Sequence, residues 1–196
     1  MWVEPVTLDG KTVRVEPLGL EHSAGLRAAY MRDPDILRYH NIAPYNASDE
    51  AWSDYMHSSM NLPGRMPFAM VLKETGQAVG TTSYLDIRPE HRGLEIGYTW
   101  IGKDYQGTQV NPENKYLLLR HAFETLGAIR VQLKTDARNF QSQRAMSKLG
   151  AKLEGTLRNQ IILPDGYYRH SVMFSITDDE WPEVKAAIET RLGYVP

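Results

Sequence analysis

A polar turn containing one glycine separates a predicted strand from a predicted helix near the middle of this 196-residue chain. The turn runs from Asp104 to Pro112 and reads Asp-Tyr-Gln-Gly-Thr-Gln-Val-Asn-Pro. Asn111 is a good helix N-cap, and Pro112 suits the first helical position because its φ is already fixed. The free N–H groups and the positive dipole end of such a helix would face the turn, which favours an anion such as phosphate. An ordinary capped strand-to-helix connection is the alternative interpretation.

Hydrophobic periodicity predicts the two elements that would position this turn. Between residues 94 and 101, large apolar or aromatic side chains alternate with other residues, as is typical of a strand. One face would carry Leu94, Ile96, Tyr98 and Trp100, and the other Glu95, Gly97, Thr99 and Ile101. After the turn, apolar residues recur at helical spacing, namely Tyr116, Leu119, Ala122, Phe123 and Leu126.

The rest of the chain predicts strands and helices around this centre. Strands are expected at 11–17, 67–73, 78–87, 129–135, 152–163 and 167–176, and helices at 20–32, 34–39, 48–60, 139–149 and 178–192. Ser48 and Asn139 are predicted N-caps, Gly150 is a predicted C-terminal stop, and Thr177 to Glu180 form a predicted capping box. The order indicates an α/β (α+β) fold with a mixed sheet of about seven strands and helices on both faces.

The composition is that of a globular protein, and we expect one domain over 1–196, with its core at about 12–176. A net charge of -2 gives no general attraction for nucleic acid or an anionic membrane. The chain has no cysteine, and its six histidines lack metal-type spacing, so we expect no metal. No apolar run suits a membrane span, and the N-terminus lacks signal-peptide features, so we expect a cytoplasmic protein.

Two stretches of the chain resemble the GNAT family of N-acetyltransferases, in particular its branch of RimJ/RimL-type ribosomal-protein N-terminal acetyltransferases. Asn139 to Arg158 shows the pattern N-x-x-S-x-x-x-x-x-K-L-G-A-x-x-E-G-x-L-R, and Leu94 to Tyr98 reads L-E-I-G-Y. The resemblance extends over residues 12–176. It implies a mostly antiparallel sheet splayed between its fourth and fifth strands, at 94–101 and 129–135. It also implies acetyl-CoA as the acetyl donor, bound in this split, and a primary amine as the acceptor.

The resemblance implies which residues would bind acetyl-CoA. The pyrophosphate would lie on Gln106, Gly107, Thr108, Gln109, Val110 and Asn111, which agrees with the anion site argued above. Backbone N–H groups around Trp100 and Ile101 would stabilise the thioester carbonyl. Asn139 would hydrogen-bond the pantetheine arm, although it is also explained as an N-cap. Ser142 is a further candidate for binding the cofactor.

The turn departs from the family pattern, which usually reads Gln/Arg-x-x-Gly-x-Gly/Ala. The two positions that are usually small hold Gln109 and Asn111. A left-handed conformation would strain Gln109, and its side chain could narrow the approach of the pyrophosphate. This departure motivates one alternative function, a non-catalytic binding module that keeps the fold and has lost the cofactor.

Two side chains are candidates for the proton transfers of amine acetylation. Glu95 is the first candidate for the general base, directly or through a water, because a sheet covered on both faces would partly desolvate it. A structural ion pair is its alternative role, and Asp86 is a weaker rival. The family's usual acid is a tyrosine, but the comparable position holds Phe140, so Ser142 is the candidate acid. Capping of the helix after Asn139 is the alternative role of Ser142.

Further side chains have a functional and a structural interpretation. Four cations near the expected cleft could meet the 3′-phosphate of CoA or simply be solvated, namely Lys134, Arg138, Arg144 and Lys148. Four aromatic residues could shape the acceptor site or pack in the core, namely Tyr39, Tyr45, Trp52 and Tyr55. His121 is expected to be a packed structural histidine.

These observations predict an acetyl-CoA-dependent N-acetyltransferase whose acceptor is the N-terminal α-amine of a protein or peptide of the ribosomal-protein kind. A small-molecule amine, such as a polyamine or an aminoglycoside, is the alternative acceptor. An open groove with few charges would favour a peptide, whereas a closed acidic pocket would favour a polycation. The resemblance also implies a homodimer, to which the segment from Trp181 to Pro196 could contribute.

Overall fold

The computed structural model describes residues 2–194, so Met1, Val195 and Pro196 of the predicted domain lie outside the described residues. The strands are β1 (Leu8–Asp9), β2 (Val13–Pro17), β3 (Met66–Leu72), β4 (Ala78–Arg88), β5 (Gly93–Ile101), β6 (Arg130–Asp136), β7 (Lys152–Ile162) and β8 (Tyr168–Thr177). They form one sheet in the order β1-β2-β3-β4-β5-β6-β8-β7. Among the described strands, β5 and β6 alone pair in parallel. The predicted mixed, mostly antiparallel sheet is confirmed, with β1 as a short addition to the seven predicted strands.

The helices are α1 (Ser23–Met31), α2 (Asp49–Asn61), α3 (Val110–Arg120), α4 (Phe140–Leu149) and α5 (Trp181–Leu192). Short 3-10 turns lie at Leu20–His22, Pro34–Leu37, Pro89–His91 and Lys103–Tyr105, and a π-helical turn at His121–Thr125 follows α3. Three predicted helix ends are confirmed. The Ser48 hydroxyl accepts from the Ala51 N–H, and the Asn139 side chain accepts from the Ser142 N–H. Gly150 ends α4 in the left-handed region with φ of 99°.

Helices cover both faces of the sheet, as predicted. One apolar layer joins the sheet to α3, α4 and α5, and includes Leu94, Ile96, Leu118, Leu149 and Ile188. The opposite layer joins it to α1 and α2, and includes Leu26, Trp52, Met56, Val71 and Trp100. Within residues 2–194, no helix is both long and apolar enough to cross a membrane.

Strands β5 and β6 pair over only three residues and then separate. The pairs are Gly93 with Arg130, Leu94 with Val131 and Glu95 with Gln132. Beyond them, β5 continues beside β4 to Ile101, and β6 continues beside β8 to Asp136. Each strand therefore has one paired edge and one edge that faces a widening gap. The predicted splay between residues 94–101 and 129–135 is confirmed.

The predicted strict alternation along β5 is wrong beyond Gly97. Tyr98 has a φ of 48°, and the register with β4 shifts here, since Ser83 pairs with Gly97 whereas Thr81 pairs with Trp100. An extra residue in one strand of a pair is a β-bulge, and it reverses the faces of the residues that follow. Trp100 therefore packs beside α2 and not with Ile96.

The predicted N-cap at Asn111 is also wrong. Helix α3 begins at Val110, with Gln109 in the cap position and Asn111 within the first turn. The Thr108 hydroxyl accepts from the Val110 N–H at 3.3 Å, so a side chain two residues earlier stabilises this helix end. Because of this cap, Pro112 is the third helical residue instead of the first.

The described part of the C-terminal segment packs against its own chain. Trp181 and Ile188 belong to the core. The Tyr194 hydroxyl donates to Glu113 of α3 at 2.6 Å. The expected contribution of this segment to a dimer would therefore have to come from its remaining exposed surface.

Candidate active site

The turn before α3 borders the open end of the gap between β5 and β6. Gly107 adopts a φ of 75°, and a Cβ added to it would have no other atom within 4 Å. The Gln106 amide donates to the Ile101 carbonyl at the end of β5, and its side-chain oxygen accepts from Gln141 in the first turn of α4, both at 3.2 Å. The turn thereby links the ends of both flanking elements and keeps its own backbone accessible.

The two side chains that depart from the family pattern do not strain the turn. Gln109 has a φ of -73° and a ψ of -11°, so it is right-handed and free of the expected left-handed strain. Its amide donates to the Arg191 carbonyl of α5 at 3.5 Å, which directs it toward that helix. Asn111 is partly buried, and its side-chain oxygen has no hydrogen-bond partner among residues 2–194. In the structure, the Gln109 side chain therefore does not narrow the approach of the pyrophosphate, contrary to the expectation.

Glu95 lies at the apex of the gap and is only 2% exposed. Its Oε2 accepts from the Gln132 amide at 2.9 Å and lies 3.2 Å from Nζ of Lys134. The ion pair proposed as its structural role therefore exists. Both partners hold the same oxygen, so Oε1 remains for a proton or a water. A Cβ on Gly97 would approach Oε1 to 2.9 Å, so the glycine provides space beside this oxygen.

Asp86, the rival base, is connected to the same cluster. It has a φ of 45° at an irregularity of β4, and its Oδ2 accepts from the Gln132 amide at 2.9 Å. Gln132 thus bridges the two carboxylates. Asp86 is exposed and lies 3.5 Å from Nε of Arg88. The buried Glu95 is better placed at the apex than this surface carboxylate.

The start of α4 brings Asn139 and Ser142 together. Oδ1 of Asn139 accepts from the backbone N–H of Ser142 at 3.0 Å, which confirms the capping role of Asn139. The cap uses only the oxygen, so the Asn139 amide group can still donate to a ligand. It uses only the backbone of Ser142, so the hydroxyl of this partly exposed residue is not consumed. Phe140, which replaces the family's tyrosine, is 66% exposed.

Of the four predicted cations, two are committed to carboxylates. Lys134 pairs with Glu95, and Arg138 forms a two-pronged pair with Asp136 while lying 3.5 Å from the ring centre of Tyr167. The other two, Arg144 and Lys148, are exposed on α4 at i and i+4 spacing. Of these four cations, Arg144 and Lys148 are therefore the two that are available to bind a phosphate.

The predicted aromatic residues divide between core and surface. Trp52 is buried and stacks on Tyr30, which confirms its packing role. The Tyr55 hydroxyl accepts from the Trp100 indole at 2.8 Å, and burial raises the pKa of Tyr55. Tyr45 is 66% exposed. These contacts show that the α2 layer supports the end of β5.

The expected structural role of His121 agrees with its position in the π-helical turn. Its ring lies 6.3 Å from that of Tyr84, and the two rings are stacked. Burial lowers the pKa of His121. A neutral packed histidine explains both observations.

Lys115 is a buried amine that does not emerge from the sequence analysis. It lies on α3, is 8% exposed, and donates to the Thr99 hydroxyl at 2.7 Å, which in turn lies 2.9 Å from that of Thr82. Burial lowers the pKa of Lys115 to about 7, although Glu95 opposes this shift. In the sequence, Lys115 directly precedes Tyr116 of the predicted apolar helix face, and this position could have indicated a buried amine.

Comparison with known proteins adds a family and a fold. A family model described as "Acetyltransferase (GNAT) domain" matches residues 12–152. A crystal structure from T. thermophilus, described as that of a candidate acetyltransferase, is 43% identical and has a TM-score of 0.91, covering 98% of this chain and 100% of its own. The spermidine N(1)-acetyltransferase of Escherichia coli K12 is 25% identical over 87% of this chain and 88% of its own. RimJ of Mycobacterium smegmatis in complex with CoA-disulfide, at 19% identity and a TM-score of 0.77 over 97% and 94% of the two chains, is similar in fold.

Proposed function

The chain belongs to the GNAT family of acetyltransferases, and we propose that it transfers an acetyl group from acetyl-CoA to the α-amine of a protein or peptide of the ribosomal-protein kind. The catalytic roles would belong to Glu95 and Ser142. The proposal rests on three features of the cleft between β5 and β6, which are its backbone edge, its turn and its charges. Each supports a different part of the reaction.

The turn and the open strand edge suit the donor. Gly107 in the left-handed region leaves the backbone open for the close approach of a pyrophosphate, and the start of α3 adds its dipole. The unpaired edge of β5, near Trp100 and Ile101, offers backbone groups to the pantetheine arm and the thioester carbonyl. Asn139 contributes its free amide donor. The side chain of Gln109 points to α5, so it leaves this approach open.

Acetyl transfer forms a bond between the amine nitrogen and the acetyl carbon and breaks the bond between that carbon and sulfur. The attacking amine must lose a proton, and the departing thiolate gains one. Oε1 of Glu95 is the oxygen available to accept the amine proton, directly or through a water. The Ser142 hydroxyl is the group at α4 that can protonate the sulfur.

The choice of acceptor rests on whether the carboxylates beside the cleft are already paired with cations. The two buried carboxylates beside the cleft are neutralised, Glu95 by Lys134 and Asp136 by Arg138. A polycation such as spermidine needs uncompensated carboxylates, which neither of these two supplies. A peptide with a single α-amine avoids that requirement.

A panel of acceptors tests the proposal. The protein would be supplied with acetyl-CoA and three acceptors. They are a peptide that has a free N-terminus and an internal lysine, the same peptide with its N-terminus blocked, and spermidine. Release of the CoA thiol gives rates, and mass spectrometry gives the acetylated nitrogen. We expect acetylation of the free α-amine with the highest kcat/KM. A higher kcat/KM for spermidine or for the lysine side chain would overturn the proposal.

We also expect a homodimer, which rests on the family resemblance, and a cytoplasmic location, which rests on the sequence features described above. Light scattering coupled to size-exclusion chromatography measures the mass directly. A mass of one chain at working concentration would contradict the dimer.

A further inference from the structure

One wall on the α1 and α2 side of the cleft is built around Tyr98, the residue of the β5 bulge. Its hydroxyl donates to the Asn41 side chain at 2.8 Å. The guanidinium of Arg65 lies 4.4 Å from the centre of its ring, and the imidazole of His40 lies 6.1 Å from it. Arg65 also donates to the Ser83 hydroxyl at 2.6 Å. The bulge thus gathers segments that are distant in sequence.

Arg169, which lies on strand β8, completes this wall. It is 8% exposed, and Nη1 donates to the Tyr39 carbonyl at 3.1 Å. Its Nε is buried without any hydrogen-bond partner in residues 2–194. The negative charges of Asp136 and Glu95 act on Arg169 and favour its charged form. Arg169 therefore stands between the apex of the gap and the residues around Tyr98.

Across residues 2–194, neither of the two guanidiniums of this wall takes part in an ion pair. The carboxylates that act on Arg169, those of Glu95 and Asp136, are already paired with Lys134 and Arg138. Burying a charged group without a partner is unfavourable, and burial lowers the pKa of both arginines. Burial and then these two guanidiniums also lower the pKa of His40 to about 4, so the imidazole is neutral.

A guanidinium that is half or fully buried and retains unused N–H donors is a site for a planar anion. Arginine presents five N–H donors in a rigid fork that matches a carboxylate, and such charge-assisted hydrogen bonds are the strong ones. Arg65 uses Nε on Ser83, and Arg169 uses one Nη on Tyr39, so both retain donors. The wall is therefore suited to bind a carboxylate on the acceptor.

We propose that the acetyl acceptor carries a carboxylate close to its reactive amine, and that Arg65 and Arg169 bind this carboxylate. The inference rests on the proposed function, because it concerns the acceptor of the same acetyl transfer. A peptide whose first or second residue is Asp or Glu has this chemistry, and so does a free amino acid. The two sources differ in whether the carboxylate belongs to a side chain or to the same carbon as the amine.

Matched acceptors test the proposal on the wild-type protein. One pair of peptides would differ only by Glu or Gln at the first position, a second pair by Asp or Asn at the second, and a third comparison would use free glutamate and its amides. We expect kcat/KM for the acidic member of a pair to exceed that of its amide by about tenfold or more. Preference within the peptide pairs identifies a side-chain carboxylate, and preference for the free amino acid identifies the α-carboxylate. Equal kcat/KM for acid and amide in all comparisons would overturn the proposal and leave the proposed function standing.

Failure of the proposed function itself would look different. In that case, either the folded protein would acetylate no amine, or spermidine or the lysine side chain would have the higher kcat/KM. Equal acetylation of acid and amide, by contrast, shows an active transferase without a carboxylate site. The two failures are therefore distinguishable in one data set.

Substitutions then assign the carboxylate to the two arginines. Arg65→Gln and Arg169→Gln should each reduce the ratio of kcat/KM between acid and amide by about tenfold, with the amide acceptor less affected. Arg120→Gln is a matched control, since its guanidinium also lies over a tyrosine ring, that of Tyr116 at 5.2 Å, on the α5 side of α3. It should leave the ratio unchanged.

Arg169→Gln also removes the bond to the Tyr39 carbonyl, so circular dichroism must confirm its fold. Arg169→Lys keeps a positive charge without the fork and should recover part of the ratio. If Arg169→Gln does not fold, Arg65→Gln alone decides. An unchanged ratio in a folded Arg65→Gln variant would contradict its assignment.

Discussion

The side-chain nitrogen of Lys134 lies 3.2 Å from Oε2 of Glu95, at the level where β5 and β6 cease to pair. Gln132 donates to the same oxygen at 2.9 Å. Two donors on β6 therefore orient a carboxylate on β5 and leave its second oxygen beside Gly97. Strand β6 therefore orients the candidate base at the same level at which it stops pairing with β5.

Glu95→Gln should reduce kcat by about 100-fold, because general-base catalysis is typically worth that much, and it should leave acetyl-CoA affinity nearly unchanged. Steady-state rates and calorimetric titration measure the two quantities. Glu154→Gln is the matched control, since its carboxylate also pairs across strands, with Arg130 at 2.5 Å. If Glu95→Gln retains the rate of this control, Glu95 has no part in proton transfer.

Gly107→Val should weaken acetyl-CoA binding by about tenfold or more, because a β-branched residue is strained at positive φ and would distort the turn. Gly76→Val is a close control, since Gly76 has a φ of 71° and equally open surroundings in the turn between β3 and β4. Both variants should lose similar stability on thermal unfolding. Equal acetyl-CoA affinity in the two folded variants would show that this turn does not bind the pyrophosphate.

Ser142→Ala is a clean test of the candidate acid, because the helix cap uses the backbone N–H of Ser142 and not its hydroxyl. We expect a fall in kcat of about tenfold or more with unchanged thermal stability. Asn139→Ala is the complementary variant, since it removes the capping oxygen and should cost about 1 kcal/mol of stability. A wild-type kcat for Ser142→Ala would assign the protonation of the thiolate to another group.

Lys115→Met should stabilise the protein, and the gain should depend on pH. The folded-state pKa of about 7 lies below the ordinary 10.5, so the unfolded chain binds more protons between these values. Wild-type stability therefore rises with pH across this window, and the penalty is fully present below about pH 7. The gain from Lys115→Met should reach about 2 kcal/mol or more at pH 6 and fall toward pH 10.

Denaturant unfolding at several pH values measures this gain. Lys103→Met, at an exposed position, provides the control and should show little gain at any pH. A gain for Lys115→Met that does not change between pH 6 and pH 10 would contradict a depressed pKa for the buried amine.

Local signals in the sequence predict the parts of the site that depend on a few neighbouring residues. The glycine in the turn, the cap at Asn139 and the position of the strand at 94–101 all follow from short patterns and the family resemblance. Glu95 is identifiable in the same way, because its place on the strand opposite Leu94 and Ile96 follows from alternation. These features depend little on distant parts of the chain.

The remaining features depend on contacts between distant segments. The bulge at Tyr98 exists in the register between β4 and β5, and no residue pattern within β5 alone specifies it. The start of α3 is an exception, because it differs from the prediction through a local contact in which the Thr108 hydroxyl accepts from the Val110 N–H two residues later. Arg169 approaches Tyr39 across 130 positions of sequence. Tertiary structure is needed to bring such groups together.

The most direct test of the proposed acetyl-CoA site is calorimetric titration of the purified protein with acetyl-CoA and with CoA, supported by a thermal-shift assay. We predict one site per chain with micromolar affinity, because the gap between β5 and β6, the open turn at Gly107 and the start of α3 together suit the donor. Binding of this kind would leave the acceptor as the remaining question. No heat and no thermal shift at millimolar acetyl-CoA would contradict the proposed site, and a non-catalytic binding module would then be the better interpretation.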